Sequence, residues 1–129
     1  MIRCVRLYSD GDGNSNFEDG FLDLTIAQRG DVLSELTDVI SISFRETNAG
    51  GEFEWHSAPS RQFVITLSGT LEFEMRNGNK VTIHPGDILL AEDTIGSGHR
   101  WRLIDQNPWR RAYIVLKEGA SPSFFVNKK

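Results

Sequence analysis

Apolar and polar residues alternate with period two along most of this chain, the pattern of half-buried β-strands. Residues 2–8 (IRCVRLY) alternate apolar with charged positions. Residues 39–46 (VISISFRE) put Val39, Ser41, Ser43 and Arg45 on one face and Ile40, Ile42, Phe44 and Glu46 on the other. Within LEFEM (71–75), Glu72 and Glu74 face one way while Leu71, Phe73 and Met75 face the other. Further strand-like runs lie at 61–67 (RQFVITL), 80–84 (KVTIH), 88–92 (ILLAE), 99–105 (HRWRLID) and 110–118 (RRAYIVLKE), and SFFV at 123–126 is a short apolar tail.

Turn signals separate these runs. Ser68-Gly69 suits a tight hairpin between RQFVITL and TLEFEMR, and Asn77-Gly78 is the strongest short hairpin signal. Pro85-Gly86-Asp87 marks another turn, and DTIGSG (93–98) a loop. SDGDGNSNFEDG (9–20) reads as a polar, glycine-rich connection. Only AQRGDVLSELTD (27–38) offers a helical turn, and Gly30 weakens it. The count of about eight to ten short strands predicts an all-β antiparallel sandwich or barrel. No linker or repeat divides residues 1–129, so one domain is expected.

Composition narrows the function classes. A chain of 129 residues, 39% hydrophobic and 25% charged, can bury one core without disulfides. The net charge of −4 argues against nucleic-acid binding. Cys4 is the single cysteine, so no internal disulfide and no CxxC site exists. The N-terminal MIRCVRLYSDGDG has no apolar core, and no run approaches the ~18 apolar residues of a membrane span. A cytoplasmic protein with no membrane association is the expectation.

Candidate chemistry is sparse. Asp10, Asp12 and Asn14 open like a calcium loop, but Ser15 and Phe21 stand where that loop requires glycine and glutamate, leaving an acidic surface loop. Neither Ser68, Ser97 nor Cys4 has a nucleophile context. Arg100, Arg102, Arg110 and Arg111 interleave with Trp101 and Trp109. They read first as solvated strand arginines over indoles, and second as the wall of a pocket for an anion. His84, before Pro85-Gly86, reads as a solvent-facing turn residue. His56 and His99 each follow a glycine-bearing loop and head a strand that can point into a barrel.

The spacing around His56 resembles the cupin superfamily. Gly50, five residues, His56, Ser57, Ala58, three residues, Gln62, six residues and Gly69 fit a short cupin motif without a gap. Ala58 replaces its second histidine and Gln62 its glutamate. Gly86-Asp87 starts a second motif, Glu92 stands at its proline, and His99 closes it after a lengthened loop. WHSAPSRQFVITLSGTLEFE with PGDILLAEDTIGSGH looks like a group of small single-domain bacterial cupins, with a barrel core over about 38–117 and an N-terminal strand and loops over 1–37.

The resemblance implies a jelly-roll barrel in which His56, Gln62 and His99 surround a position for iron, nickel, manganese or zinc. His56 and His99 are the catalytic candidates, and Trp101, Glu92 and Asp93 the pocket candidates. No organic cofactor is expected. The implied function is a metal-dependent enzyme acting on a small oxygenated or carbohydrate-derived molecule, by Lewis-acid or dioxygen chemistry. A non-catalytic small-ligand module and a metal-free isomerase or epimerase with a histidine base are the alternatives. Arg61, alternating with Gln62, should point away from the metal face toward the rim or a second subunit. The resemblance also implies a homodimer, with IRCVRLY as the segment that pairs across it.

Overall fold

A computed structural model describes residues 1–127, so Lys128 and Lys129 of the expected domain lie outside the described residues. Regular structure among these residues is entirely β. The first strands are β1 (Arg3–Ser9), β2 (Ser15–Leu22), β3 (Ile26–Gln28), β4 (Asp31–Leu33), β5 (Val39–Thr47) and β6 (Glu52–His56). There follow β7 (Gln62–Ser68), β8 (Leu71–Met75), β9 (Lys80–Ile83), β10 (Ile88–Ala91), β11 (His99–Leu103), β12 (Trp109–Leu116) and β13 (Phe124–Val126).

From β5 onward the chain shuttles between two facing sheets. One is seven-stranded, in the order β13-β2-β1-β10-β7-β12-β5, and the other is four-stranded, in the order β6-β11-β8-β9. Strands that change sheet at successive turns close a jelly-roll barrel. The inward faces supply Val5, Leu7, Val64, Leu71, Phe73, Met75, Val81, Leu89, Trp101 and Trp109 to the space between the sheets. Burying each of the larger side chains stabilises the fold by roughly 1.5–3 kcal/mol. A second cluster, of Cys4, Ile88, Leu90 and Leu116, lies on the other face of the large sheet under Phe124 and Ala120. That is why ILLA of β10 is buried at all four positions instead of alternating. Burial also pushes the Cys4 thiol up to about 12, which removes it as a nucleophile.

Several expectations from the sequence change here. The connection over residues 9–20 is half strand, since Ser15–Leu22 pairs antiparallel with β1. The segment at 27–38 forms no helix. β3 and β4 pair as a hairpin across Arg29 and Gly30, both at left-handed φ (53° and 83°), which no helix can include. Ser68-Gly69 does not close a hairpin, because β7 pairs with β10 and β12 while β8 pairs with β9 and β11. That turn carries the chain from one sheet to the other. The Asn77-Gly78 hairpin between β8 and β9 is as expected.

The N-terminal strand is not peripheral to the barrel. β1 lies between β2 and β10, with Cys4, Val5 and Leu7 fully buried. IRCVRLY therefore has no free edge with which to pair across a dimer. A free edge of the large sheet belongs to β5, whose outer face exposes Ile40, Ile42 and Phe44. Among the described residues no helix is long and apolar enough to cross a membrane.

Candidate functional site

β6 and β11 run antiparallel, and their register sets His56 opposite His99. The register slips between His99 and Trp101, so that Trp101 faces Phe53 and β6 carries an extra residue. This bulge aims both Phe53 and His56 at the barrel, three residues apart, where strict alternation would have allowed only one of them. Trp55 goes outward and is covered by the guanidinium groups of Arg76 and Arg100 at 3.9 and 4.8 Å. Gly98, at φ 77°, lets β11 begin hard against β6, because a Cβ there would lie 2.3 Å from the His56 carbonyl. The two imidazoles meet edge to face with ring centroids 4.6 Å apart.

Each imidazole has one nitrogen engaged. His99, 4% exposed, has Nδ1 2.5 Å from Asp93 Oδ2. An ionised carboxylate only accepts, so Nδ1 carries a proton, and in the neutral ring it is Nε2 that holds the lone pair. Asp93 is fully buried, takes a second hydrogen bond from Ser15 Oγ at 2.6 Å, and has no partner at Oδ1 among the described residues. Its backbone carbonyl accepts from Ala58 N at 3.0 Å, which ties the loop before His99 to the segment after His56. His56 Nδ1 donates to the Glu54 carbonyl at 2.7 Å, so its Nε2 is free as well. Burial is the main influence on His56 and pulls its pKa below the ordinary imidazole value. The Glu54 carbonyl opposes that, neighbouring His99 adds to it, and the Asp93 charge opposes it weakly.

Both rings open onto a cavity of about 210 Å³ inside the barrel. Gln62, 6% exposed, lines it from β7, as does Trp101 from β11. His56, Gln62, His99 and Trp101 are thus brought to one cavity, and Asp93 stands behind His99 rather than in the cavity wall. Glu92 is not brought in. It turns outward to accept from Arg6 Nε at 2.6 Å and from Arg61 Nε and Nη2 at 2.8 and 2.6 Å. Neighbouring residues leaving β10 point to opposite sides, and the outer one falls between two arginines. Arg61 points away from the cavity as expected, but to this intrachain carboxylate. His84 is exposed at its turn, with its backbone N–H donating to Asp87.

The donor set does not suit a tightly held divalent metal. Two neutral imidazoles and the Gln62 amide are the available ligands, Ala58 offers none, and Asp93 is occupied by His99. Among the described residues no group of three His, Cys, Asp or Glu converges to hold an ion. A site for iron, nickel, manganese or zinc normally has a third strong donor or an anionic ligand. No choice among those metals follows from these residues.

The arginine cluster divides. Arg100, Arg102 and Arg110 lie on the outer faces, paired with Glu74, Glu72 and Glu46 at 2.9, 3.1 and 2.6 Å. Arg111 turns inward, 3% exposed, with its guanidinium 3.7 Å from the Trp109 ring centroid. Its Nε donates to Tyr113 Oη at 3.2 Å, and its Nη1 to Thr47 Oγ1 at 2.7 Å and the Trp109 carbonyl at 3.0 Å. Burial pulls its pKa down, and Tyr113 works against that. Trp109, Arg111 and Tyr113 share a face by period two, which was the signal in the sequence that one arginine of the pair faces inward. Ser15, in a segment that reads as loop, gave no such signal.

Comparison with known proteins gives the chain its relatives. The cupin domain family matches residues 44–110, just over half of the chain. The oryzines biosynthesis cluster protein J of Aspergillus oryzae is 29% identical over 76 residues, 58% of this chain and 41% of that protein. The chain thus spans less than half the length of that curated relative. A conserved, uncharacterised protein with a double-stranded beta-helix domain from Klebsiella pneumoniae is similar at 22% identity and TM-score 0.48, over 82% of this chain and 92% of that one. The DMSP lyase DddQ of Ruegeria pomeroyi is similar at 17% identity and TM-score 0.49, over 80% of this chain and 50% of that one.

Proposed function

The chain belongs to the cupin domain family, and on that premise we propose that it is an enzyme moving a proton on a small oxygenated molecule held in the barrel. The observation that carries this reading is the buried Asp93–His99 pair, which leaves one imidazole nitrogen unpartnered beside the cavity. His99 is the base. As Nε2 takes a proton, the Nδ1–H to Asp93 becomes a charge-assisted bond, and the carboxylate stabilises the imidazolium. Ser15 holds that carboxylate in place through the same oxygen.

His56 stands close enough to His99 to serve the same substrate, and its burial favours the neutral ring at neutral pH. It is suited to return a proton or to hydrogen-bond a substrate oxygen. The Gln62 amide offers a donor and an acceptor for orientation. Phe73, Trp101 and Trp109 pack against one another beside the pair and give it an apolar wall. An isomerase or epimerase step on a carbonyl compound or a carbohydrate-derived molecule fits this set of groups.

The test is solvent-deuterium exchange followed by proton NMR, over a panel of aldoses, ketoses, 2-oxo acids and 2-hydroxy acids. Exchange at a carbon next to a carbonyl is expected, unchanged by EDTA and reduced about 10²–10⁴-fold in His99→Asn. Exchange that survives in His99→Asn would sink the reading. Exchange that vanishes on chelation and returns with an added metal would transfer the chemistry to an ion on His56, Gln62 and His99. No exchange across the panel would leave the non-catalytic binding module.

A further inference from the structure

The cavity contains two cations and no acid. Arg111 and Arg45 both line it, and among the described residues no aspartate or glutamate does, in a chain whose net charge is −4. Neither guanidinium has a carboxylate partner among the described residues, whereas Arg100, Arg102 and Arg110 each pair with a glutamate. A guanidinium 3% exposed and lacking a counter-charge is costly unless something supplies that charge. Arg45, of the same sign, adds repulsion to Arg111 instead of neutralising it.

The hydrogen bonds of Arg111 sharpen the point. Nε and Nη1 are committed to Tyr113, Thr47 and the Trp109 carbonyl, which fix the plane of the group. Nη2 makes no hydrogen bond among the described residues. That nitrogen keeps some accessible surface, so it borders open space. Arg45 reaches the same cavity from β5 with its guanidinium 4.8 Å from the Tyr113 ring centroid. Tyr113 therefore lies under both cations, since Arg111 is also 5.6 Å from its ring.

We propose that Arg111, with Arg45 at the cavity mouth, binds the carboxylate of a small organic acid. Arg111 offers Nη2 to one oxygen of such a carboxylate and Arg45 its guanidinium to the other, and apolar walls suit one carboxylate on a short carbon body better than a phosphate dianion. The aromatic wall runs from Arg111 over Trp109, then through Phe73 to His99. A carboxylate seated on Arg111 thereby directs the rest of the molecule toward the imidazole pair. The inference takes the barrel site proposed above as the substrate site, and its test reads binding alone, so either can fail without the other.

Isothermal titration calorimetry on the full chain at low ionic strength provides that test, with sodium acetate, glycolate, pyruvate and succinate as probes. Acetamide serves as the neutral isostere of acetate, and inorganic phosphate as the competing oxyanion. At least one carboxylate is expected to bind with Kd of about 1 mM or tighter, with no heat from acetamide. Arg45→Gln and Arg111→Lys are each expected to weaken it about 10-fold or more, while Arg110→Gln, which removes an outward arginine paired with Glu46, stays within about threefold. Should Arg111→Lys lose its native circular dichroism, Arg45→Gln decides the matter. The proposal is overturned by silence from every carboxylate at about 20 mM, by equal binding of acetamide, by phosphate binding tighter than all four acids, or by unchanged affinity in the folded arginine variants.

Discussion

At the scale of single residues, the site is defined as much by what is missing as by what is present. Ala58 and Gln62 keep the spacing of a metal motif and withhold two of its donors, while Asp93 holds His99 from behind. His56 provides a pH test of this environment. It faces His99 and Phe53, with the Asp93 carboxylate beyond His99 and the Glu54 carbonyl on its Nδ1. Its folded pKa lies below the ordinary value of about 6.5, mainly through burial. The unfolded chain therefore binds a proton more readily than the folded one. The contribution of His56 is complete above about pH 6.5 and is lost as the pH falls from there through the folded pKa. Urea midpoints between about pH 7 and 5 are expected to fall less steeply in His56→Gln than in wild type. An equal slope in both would remove burial as the controlling influence on this ring. Arg111 shows how far the residue scale can be read from sequence. Period two put it with Trp109 and Tyr113, but only the packed barrel shows that no aspartate or glutamate among the described residues pairs with it.

At the scale of elements, alternation identified most strands correctly, and Glu72 and Glu74 do face outward toward Arg102 and Arg100. It failed where geometry departs from a regular strand. The extra residue in β6 was invisible, because a bulge depends on the partner strand and not on the sequence around His56. The turn at Ser68-Gly69 has the composition of a hairpin and instead moves the chain between sheets. Local turn chemistry is the same in both cases, and the difference lies in which strands each side meets. Gly98 links this scale to the site. Gly98→Ala would place a methyl 2.3 Å from the His56 carbonyl at a φ of 77°. The expected cost is more than about 2 kcal/mol, with displaced histidine ring resonances in NMR spectra. Gly78→Ala is the matched control, since φ is 87° there but nothing lies within 4 Å of the new Cβ. It should cost only about 1–2 kcal/mol. Equal costs for the two variants would show that the close approach of β6 and β11 does not depend on Gly98.

At the scale of the whole molecule, two facing sheets share one core, and β1, β10 and β7 belong to both its inner and outer clusters. The domain is expected to unfold in a single cooperative step, with far-UV circular dichroism and tryptophan fluorescence giving coincident urea transitions. Separate transitions would show that residues 1–37 form a unit of their own. The N-terminal strand looked peripheral because its sequence carries only the alternation of a half-buried strand. Its parallel pairing with β10 depends on a segment more than eighty residues away in the chain. The sequence by itself determined the strand periodicity, the all-β class and the spaced frame from Gly50 to Gly69, because these rest on side-chain alternation and turn residues close together in the chain. Tertiary structure alone decided how strands distant in the chain pair, that Asp93 and not Glu92 supports His99, and that Arg111 ends buried on the cavity the imidazoles line with no aspartate or glutamate partner among the described residues. Each of these depends on surfaces that only folding brings together, where burial and charge are set by neighbours distant in sequence.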